Sequence, residues 1–440
     1  MIPDMPLSLV AKSEQLSLFP DVKTSDREDG ATSTFSQNMG LPIHRWFRYS
    51  AGFSARWVQD VLSEQRSAGR CRVLDPFAGS GTVILEGEFA GMEAQGVEAH
   101  PFVARIARAK LAWQTDANAM KEHALSVLGR AKKTKGSESG YPSLVARCYP
   151  SETLRCLDAL RRGWLEGENG SPESELSWLA LTSILRECSP VGTAQWQYVL
   201  PRKSKVKVQV PFRAYEDKVY LMKEDMTKCQ ARDHGSRGRL HQGDARSCAE
   251  IENAWADLII TSPPYANNYD YADATRLELC FWGEIEGWGD LQDHVRKHLV
   301  RSCTQHVAAQ NGEAEELLQT PPLAPIRKEL ASVFAQLASE RANHGGKKPY
   351  HAMVAFYFHD MANVWKALRR VSSNGTLVCF VIGDSAPYGI YVPVDRWMGE
   401  LAVAAGFHKF SFEKLRDRNI KWKNRKHRVP LHEGRLWVEG

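Results

Sequence analysis

Apolar positions fall into two kinds of pattern along this chain: short continuous runs and sets spaced as on one face of a helix. The run Asp257 to Thr261, with Leu258, Ile259 and Ile260 inside it, has the length of a strand covered on both faces. It stops at Ser262-Pro263-Pro264-Tyr265, where two prolines without an N–H cannot continue a ladder and hold the turn rigid. Val73-Leu74-Asp75 is a second such run, and it feeds Pro76-Phe77-Ala78-Gly79-Ser80-Gly81-Thr82 before the helical pattern Val83 to Ala90. Gly96-Val97-Glu98 is a third, followed by a helix over Phe102 to Ala112. Strand and helix patterns return at Leu240 to Arg246 and again from Tyr350: helix His351 to Val371, strand Thr376 to Ile382, Gly383-Asp384, helix Pro393 to Ala405. This alternation predicts an α/β fold, a doubly wound, mostly parallel sheet, in which ligands bind at the carboxyl ends of the strands.

The alternation is interrupted twice. Residues 113–239 carry helical patterns at Ala117 to Arg130, Ser151 to Leu165 and Leu176 to Glu187, then an extended stretch in which Lys203, Lys205 and Lys207 share one face. Residues 283–348 are charged, with helical stretches around Glu315 and over Ile326 to Arg341. The expected organisation is a flexible polar arm over 1–40, a first core half over 41–112, a largely helical insertion over 113–239, a second core half over 240–282, a variable insertion over 283–348, and core completion with a basic C-terminal segment over 349–440. Ser54 is placed to cap a helix over Ala55 to Glu64.

Composition narrows the class. At 440 residues, 43% hydrophobic and 25% charged, the chain is ordinary globular protein with room for two or three domains. No stretch has the apolar length of a membrane span, and the N-terminus lacks a basic-then-apolar leader, so a soluble cytoplasmic protein is expected. Nine scattered cysteines without C-x-x-C or Cys/His ligand spacing point to reduced thiols, with neither zinc nor a disulfide framework. The net charge of +5 says little by itself. Its distribution says more: Lys414, Arg416, Arg418, Lys421, Lys423, Arg425, Lys426 and Arg428 crowd one stretch with Trp422 and a single acid, Asp417, as in a phosphate-contacting surface.

The glycine turn suggests a ligand. Gly79 and Gly81 permit close approach that a Cβ would block, while the absence of G-K-[ST] after them disfavours nucleoside triphosphate chemistry. Glu98 stands where a doubly wound nucleotide site places a carboxylate on ribose hydroxyls.

Together, D-P-F-x-G-S-G-T and S-P-P-Y resemble the amino-group DNA methyltransferases, which use S-adenosylmethionine to methylate cytosine N4 or adenine N6. The resemblance covers His44 to Leu111, Leu240 to Phe281 and Tyr350 to Phe412. It implies a class I methyltransferase (Rossmann-like) fold with S-adenosylmethionine bound by Tyr49, Phe53, Asp75, Pro76, Phe77, Gly79, Ser80, Gly81, Thr82, Glu98 and Asp244, no metal, and catalysis by Ser262, Pro263, Pro264 and Tyr265. Ser262 Oγ and the Pro263 carbonyl would accept hydrogen bonds from the target amino group, and Tyr265 would stack on a base flipped out of double-stranded DNA. Lys203, Lys205, Lys207, Arg416, Arg418, Lys421, Lys423 and Arg425 are the expected DNA contacts, and Asp384 a lining residue of the base pocket. Serine before Pro-Pro-Tyr leans to cytosine N4 over adenine N6, in a restriction-modification or phage-defence setting with a possible partner protein. The rival readings are a guanine-N2 RNA methyltransferase and a non-catalytic DNA-binding subunit of the same fold.

Overall fold

The computed structural model describes residues 35–49, 52–193, 199–205, 207–232, 237–267, 269–308, 310–418 and 429–440. Nine strands occur among them: β1 (Arg72–Asp75), β2 (Glu93–Glu98), β3 (Val191–Thr193), β4 (Val199–Ser204), β5 (Arg239–Gln242), β6 (Ala256–Thr261), β7 (Ser372–Gly383), β8 (Lys409–Arg418) and β9 (Leu431–Glu439). Seven form one sheet in the order β5-β2-β1-β6-β7-β9-β8. The first five run parallel, and β9 is antiparallel to both its neighbours. This is the doubly wound, mostly parallel sheet that the alternation predicted, and it is consistent with the class I methyltransferase fold that the resemblance implied. From β1 the chain winds outward to β2 and β5, then returns to β6 and winds the other way, so the topological switch lies between β1 and β6.

The sheet is buried on both faces for a reason visible along β6. Leu258 and Ile260 pack with Val58, Val61, Val73 and Ile84 on one face, whereas Ile259 packs with Leu74, Met361, Trp365 and Phe380 on the other. Period-two alternation inside a continuous apolar run therefore serves two helix layers at once. The helix Ala55–Ser67 belongs to the first layer, and Ser54 caps it, accepting from the Trp57 N–H at 3.3 Å. The helix Tyr350–Val371 belongs to the second. Asp257, at the entry to β6, accepts from the N–H groups of Cys71 and Arg72 at 3.1 and 2.9 Å, tying the start of β1 to its neighbour.

The helices Ala117–Lys133, Ser151–Gly167, Pro172–Ile184 and Pro211–Gln230 fill most of the stretch 113–239. Their core is continuous with Phe102, Ile106, Trp113, Leu277 and Phe281, so these helices share one apolar cluster with the sheet-covering helices rather than forming a separate one. The basic stretch expected at the C-terminus begins as the edge strand β8, and β9, which the sequence pattern left unread, inserts between β8 and β7. Of the expected N-terminal arm, residues 1–34 lie outside the described residues; Phe35–Gly40 form a 3-10 turn whose Asn38 donates to the Phe53 carbonyl and accepts from the Ala55 N–H, both at 2.9 Å. Among the described residues no helix is long and apolar enough to cross a membrane.

Candidate active site

At the carboxyl ends of β1, β2, β5 and β6 lies a cleft of about 790 Å3, counting its open mouth. Tyr49, Phe53, Pro76, Phe77, Gly79, Ser80, Thr82, Glu98 and Asp244 line it, as do Ser262 and Pro264. Two of the residues expected at the cofactor, Asp75 and Gly81, sit behind the wall instead of on it.

Each side chain is held by a local device. Gly79 adopts φ +52°, and a Cβ there would come 3.1 Å from the Tyr49 ring, so the turn and the aromatic wall need each other. Gly81, at φ +85°, starts the helix Thr82–Phe89 and packs on Ala107 of the helix Pro101–Leu111. Glu98 Oε2 accepts from the Gly79 N–H and Oε1 from the His100 N–H, both at 2.7 Å, which ties the end of β2 to the glycine turn. Burial pushes its carboxyl up to about 7, against the pull of those N–H groups. Asp75 is fully buried; its Oδ1 accepts from the Thr261 hydroxyl at 2.6 Å and the Phe77 N–H at 3.0 Å, joining β1 to the last residue of β6. Burial raises it, too, to about 7. Asp244 accepts from its own turn at Arg246 N, 2.8 Å, and pairs with the Arg246 guanidinium at 2.7 Å. His100 is buried, neutral because burial lowers it to about 3, and bonded to the Thr275 hydroxyl at 2.9 Å.

On the β6 side, the Ser262 hydroxyl donates to the Val381 carbonyl at 3.2 Å, which turns its lone pairs away from that carbonyl as acceptors, and the Tyr265 hydroxyl lies within hydrogen-bonding reach of it. The Pro264 carbonyl accepts from the Tyr357 hydroxyl at 2.9 Å, and the Tyr265 N–H donates to the Tyr271 hydroxyl at 3.2 Å. Among the described residues no donor reaches the Pro263 carbonyl. The turn is thus pinned by hydroxyls at two of its residues while its first two keep acceptors open.

Comparison with known proteins agrees with this geometry. No family model and no solved structure matches the chain. It is 26% identical over 405 residues to the Type II methyltransferase M.AvaI of Nostoc sp., covering 85% of this chain and 81% of the relative, and equally to the M.AvaI of Anabaena variabilis. To the Type II methyltransferase M.BsoBI of Geobacillus stearothermophilus it is 25% identical over 430 residues, 88% and 82% of the two chains. The relatives it resembles over most of its length are thus Type II methyltransferases.

In this chain the expected DNA contacts are scattered. Arg418, at the end of β8, lies with its guanidinium 5.3 Å from the Tyr265 ring centre and donates to the Asp384 carbonyl at 2.8 Å. Arg416 pairs with the buried Glu433 at 2.8 Å. Lys205 donates to the Arg186 carbonyl, and Lys207 is exposed. Lys421, Lys423 and Arg425, and the side chain of Lys203, lie outside the described residues. Asp384 is buried at the end of β7, bound to His432 Nδ1 at 2.7 Å and to the Tyr391 hydroxyl at 3.1 Å, and burial lifts it to about 6.

Several wall residues had no sequence signal. Tyr271 and the trio His298, Leu299 and Val300 line the cleft, the trio coming from the segment read only as a variable insertion. Tyr357 sits on a helix rich in apolar residues, where its spacing reads as core. Only the fold brings its hydroxyl to Pro264.

Proposed function

We propose that this methyltransferase transfers the methyl group of S-adenosylmethionine to the exocyclic amino nitrogen of a base flipped out of duplex DNA, cytosine N4 in preference to adenine N6, as the modifying half of a restriction-modification system. The observation that carries the reading is Ser262: a hydroxyl whose proton goes to a backbone carbonyl, at the carboxyl end of β6, beside a cleft built from the glycine turn.

The cleft suits the cofactor. Aromatic walls from Tyr49, Phe53 and Phe77 fit a purine nucleoside, the carboxylates of Glu98 and Asp244 are acceptors for hydroxyl and amino groups, and the cradle at Gly79 is one that a Cβ would fill. When bound, S-adenosylmethionine supplies a sulfonium methyl group open to in-line attack. The protein's part is positional and electrostatic. An exocyclic amine is a poor nucleophile because its lone pair is delocalised into the ring. Ser262 Oγ and the Pro263 carbonyl accept its two protons, draw them out of the ring plane and aim the lone pair. Tyr265 stacks on the base, held by its own N–H on Tyr271 and by Arg418 at its ring. The prolines keep both acceptors from following the substrate. A neutral serine in place of an aspartate at the head of the motif is the feature that favours cytosine.

The test is direct: incubate the protein with S-adenosylmethionine and unmethylated bacterial DNA, digest to nucleosides and separate them with mass detection. N4-methylcytosine is expected. N6-methyladenine overturns the base assignment alone, and neither product overturns the activity on DNA.

A further inference from the structure

A second cluster of chemistry-bearing side chains lies outside the cleft. The loop that leaves the Ser262 turn carries Asp270, and the segment 283–348 brings Cys303 and His306 to it. One donor atom from each, a carboxylate oxygen, a sulfur and a ring nitrogen, lie within 4.8 Å of one another, and all three residues are buried. Cys303 and His306 stand at C-x-x-H spacing, an exception among the otherwise scattered cysteines. The third member comes from another part of the chain, which no cysteine spacing records.

Each member is oriented by a partner of its own. His306 Nδ1 lies 3.2 Å from the Val300 carbonyl, and since a carbonyl only accepts, that nitrogen carries the proton and the ring is fixed. Its other nitrogen, Nε2, has no hydrogen-bond partner among the described residues, on a side chain 1% exposed. It faces Asp270 Oδ1 at 3.7 Å, too long for a hydrogen bond. Asp270 Oδ2 accepts from the Arg296 guanidinium at 2.7 and 3.1 Å, while Oδ1 takes the Ala272 N–H at 3.2 Å and has a lone pair to spare. Burial, then the Asp270 carboxylate, push the Cys303 thiol up, and the N–H groups of His306 and Gln305 pull towards the thiolate. A ring N–H on a carbonyl, a carboxylate on a guanidinium and backbone N–H groups on sulfur are the outer partners that orient metal ligands.

We propose that Asp270, Cys303 and His306 bind a zinc ion that clasps the wall of the cleft, with a water molecule as the fourth ligand. Mixed oxygen, sulfur and imidazole donors suit this borderline-soft ion, which imposes no geometry of its own. The role is structural, since none of the three is a cleft-lining residue. Asp270 precedes Tyr271, whose hydroxyl takes the Tyr265 N–H, and Cys303 follows the wall residues His298, Leu299 and Val300. The ion thus ties the loop after the Ser262 turn to a wall supplied by a different segment. The assignment does not depend on which ligand fills the cleft.

The experiment strips the full-length, untagged protein with a chelator, removes the chelator by gel filtration and titrates with cobalt(II). About one cobalt per chain is expected, with a thiolate-to-cobalt charge-transfer band that one equivalent of zinc abolishes. Cys303→Ser is expected to lose the band, whereas Cys71→Ser, which removes an exposed thiol, keeps it. His306→Gln, with the Cys303 sulfur intact, is expected to bind cobalt about tenfold or more weakly. No uptake by wild type, or uptake without the band, overturns the site and leaves a His306–Asp270 ion pair in its place. A band that survives in Cys303→Ser or vanishes in Cys71→Ser puts the metal elsewhere and also overturns it. Unchanged affinity in His306→Gln does the same, so the test stands even where Cys303→Ser fails to fold.

Discussion

The two sides of the cleft are built in different ways. The glycine-turn side is tied largely through backbone N–H groups within one stretch of chain: Asp75 to Phe77 N–H, Glu98 to the N–H groups of Gly79 and His100, Tyr49 against the absent Cβ of Gly79, with the Thr261 hydroxyl on Asp75 as its distant tie. The Ser262 side is made mostly of groups brought from afar: the Val381 carbonyl from β7, the Tyr357 hydroxyl from the helix Tyr350–Val371 and Arg418 from the end of β8, joined by the Tyr271 hydroxyl from the following loop. The first is a shape, set by conformation and burial. The second is an arrangement of hydrogen-bond directions, set by tertiary contact. Damage to the first should show as lost ligand affinity, and damage to the second as lost turnover.

The sharpest way to break that contrast is Ser262→Ala. Loss of an acceptor aimed at the reacting amine should lower turnover by about a hundredfold to a thousandfold, with S-adenosylmethionine affinity unchanged by calorimetry. Unchanged turnover would remove Ser262 from its role. On the other side, Gly79→Val puts a branched residue at φ +52° against Tyr49 and should weaken cofactor binding by about a hundredfold, measured by the same titration; a variant that binds normally would mean the turn is not the cradle.

Asp75 tests the backbone-tied side through pH. Its folded-state carboxyl is raised to about 7 from about 4, so between those values the unfolded chain releases a proton that the folded chain keeps. Stability from this group is therefore lost as pH rises from about 4 to about 7 and is flat on either side. Asp75→Asn, which cannot ionise, should escape this loss. Denaturant unfolding of the two proteins should show wild type falling relative to the variant by roughly 4 kcal/mol across that window. A pH-independent difference would mean Asp75 is ionised in the fold. The smallest effect is expected from Tyr357→Phe, which releases the Pro264 carbonyl while keeping the ring: about a tenfold loss of turnover, at most, with cofactor affinity intact. A drop in affinity instead would erase the distinction between the two sides.

This division also explains which parts could be read in advance. The strand ends Asp75, Glu98 and Ser262 were legible because a continuous apolar run that stops at a polar residue and a turn can only be a buried strand arriving at the sheet's edge. Gly79 and Gly81 were legible because few other reasons place glycines there. Arg416 and Arg418 read as surface charge, yet the one pairs with buried Glu433 and the other sits on Tyr265. A cationic run carries no sign of which members turn inward. His298, Leu299 and Val300 had no pattern at all, since lining residues from an irregular segment follow neither of the two periods that mark helices and strands.

The sequence alone determined the fold class and the chemistry on offer. Runs buried on both faces need helices on both faces, and two prolines after a strand fix a rigid acceptor turn wherever the strand ends. Tertiary structure decided how those groups meet. The position of β9 between β7 and β8 and the hydroxyl of Tyr357 on Pro264 both depend on contacts between residues far apart in the chain, and no local periodicity records a contact of that kind.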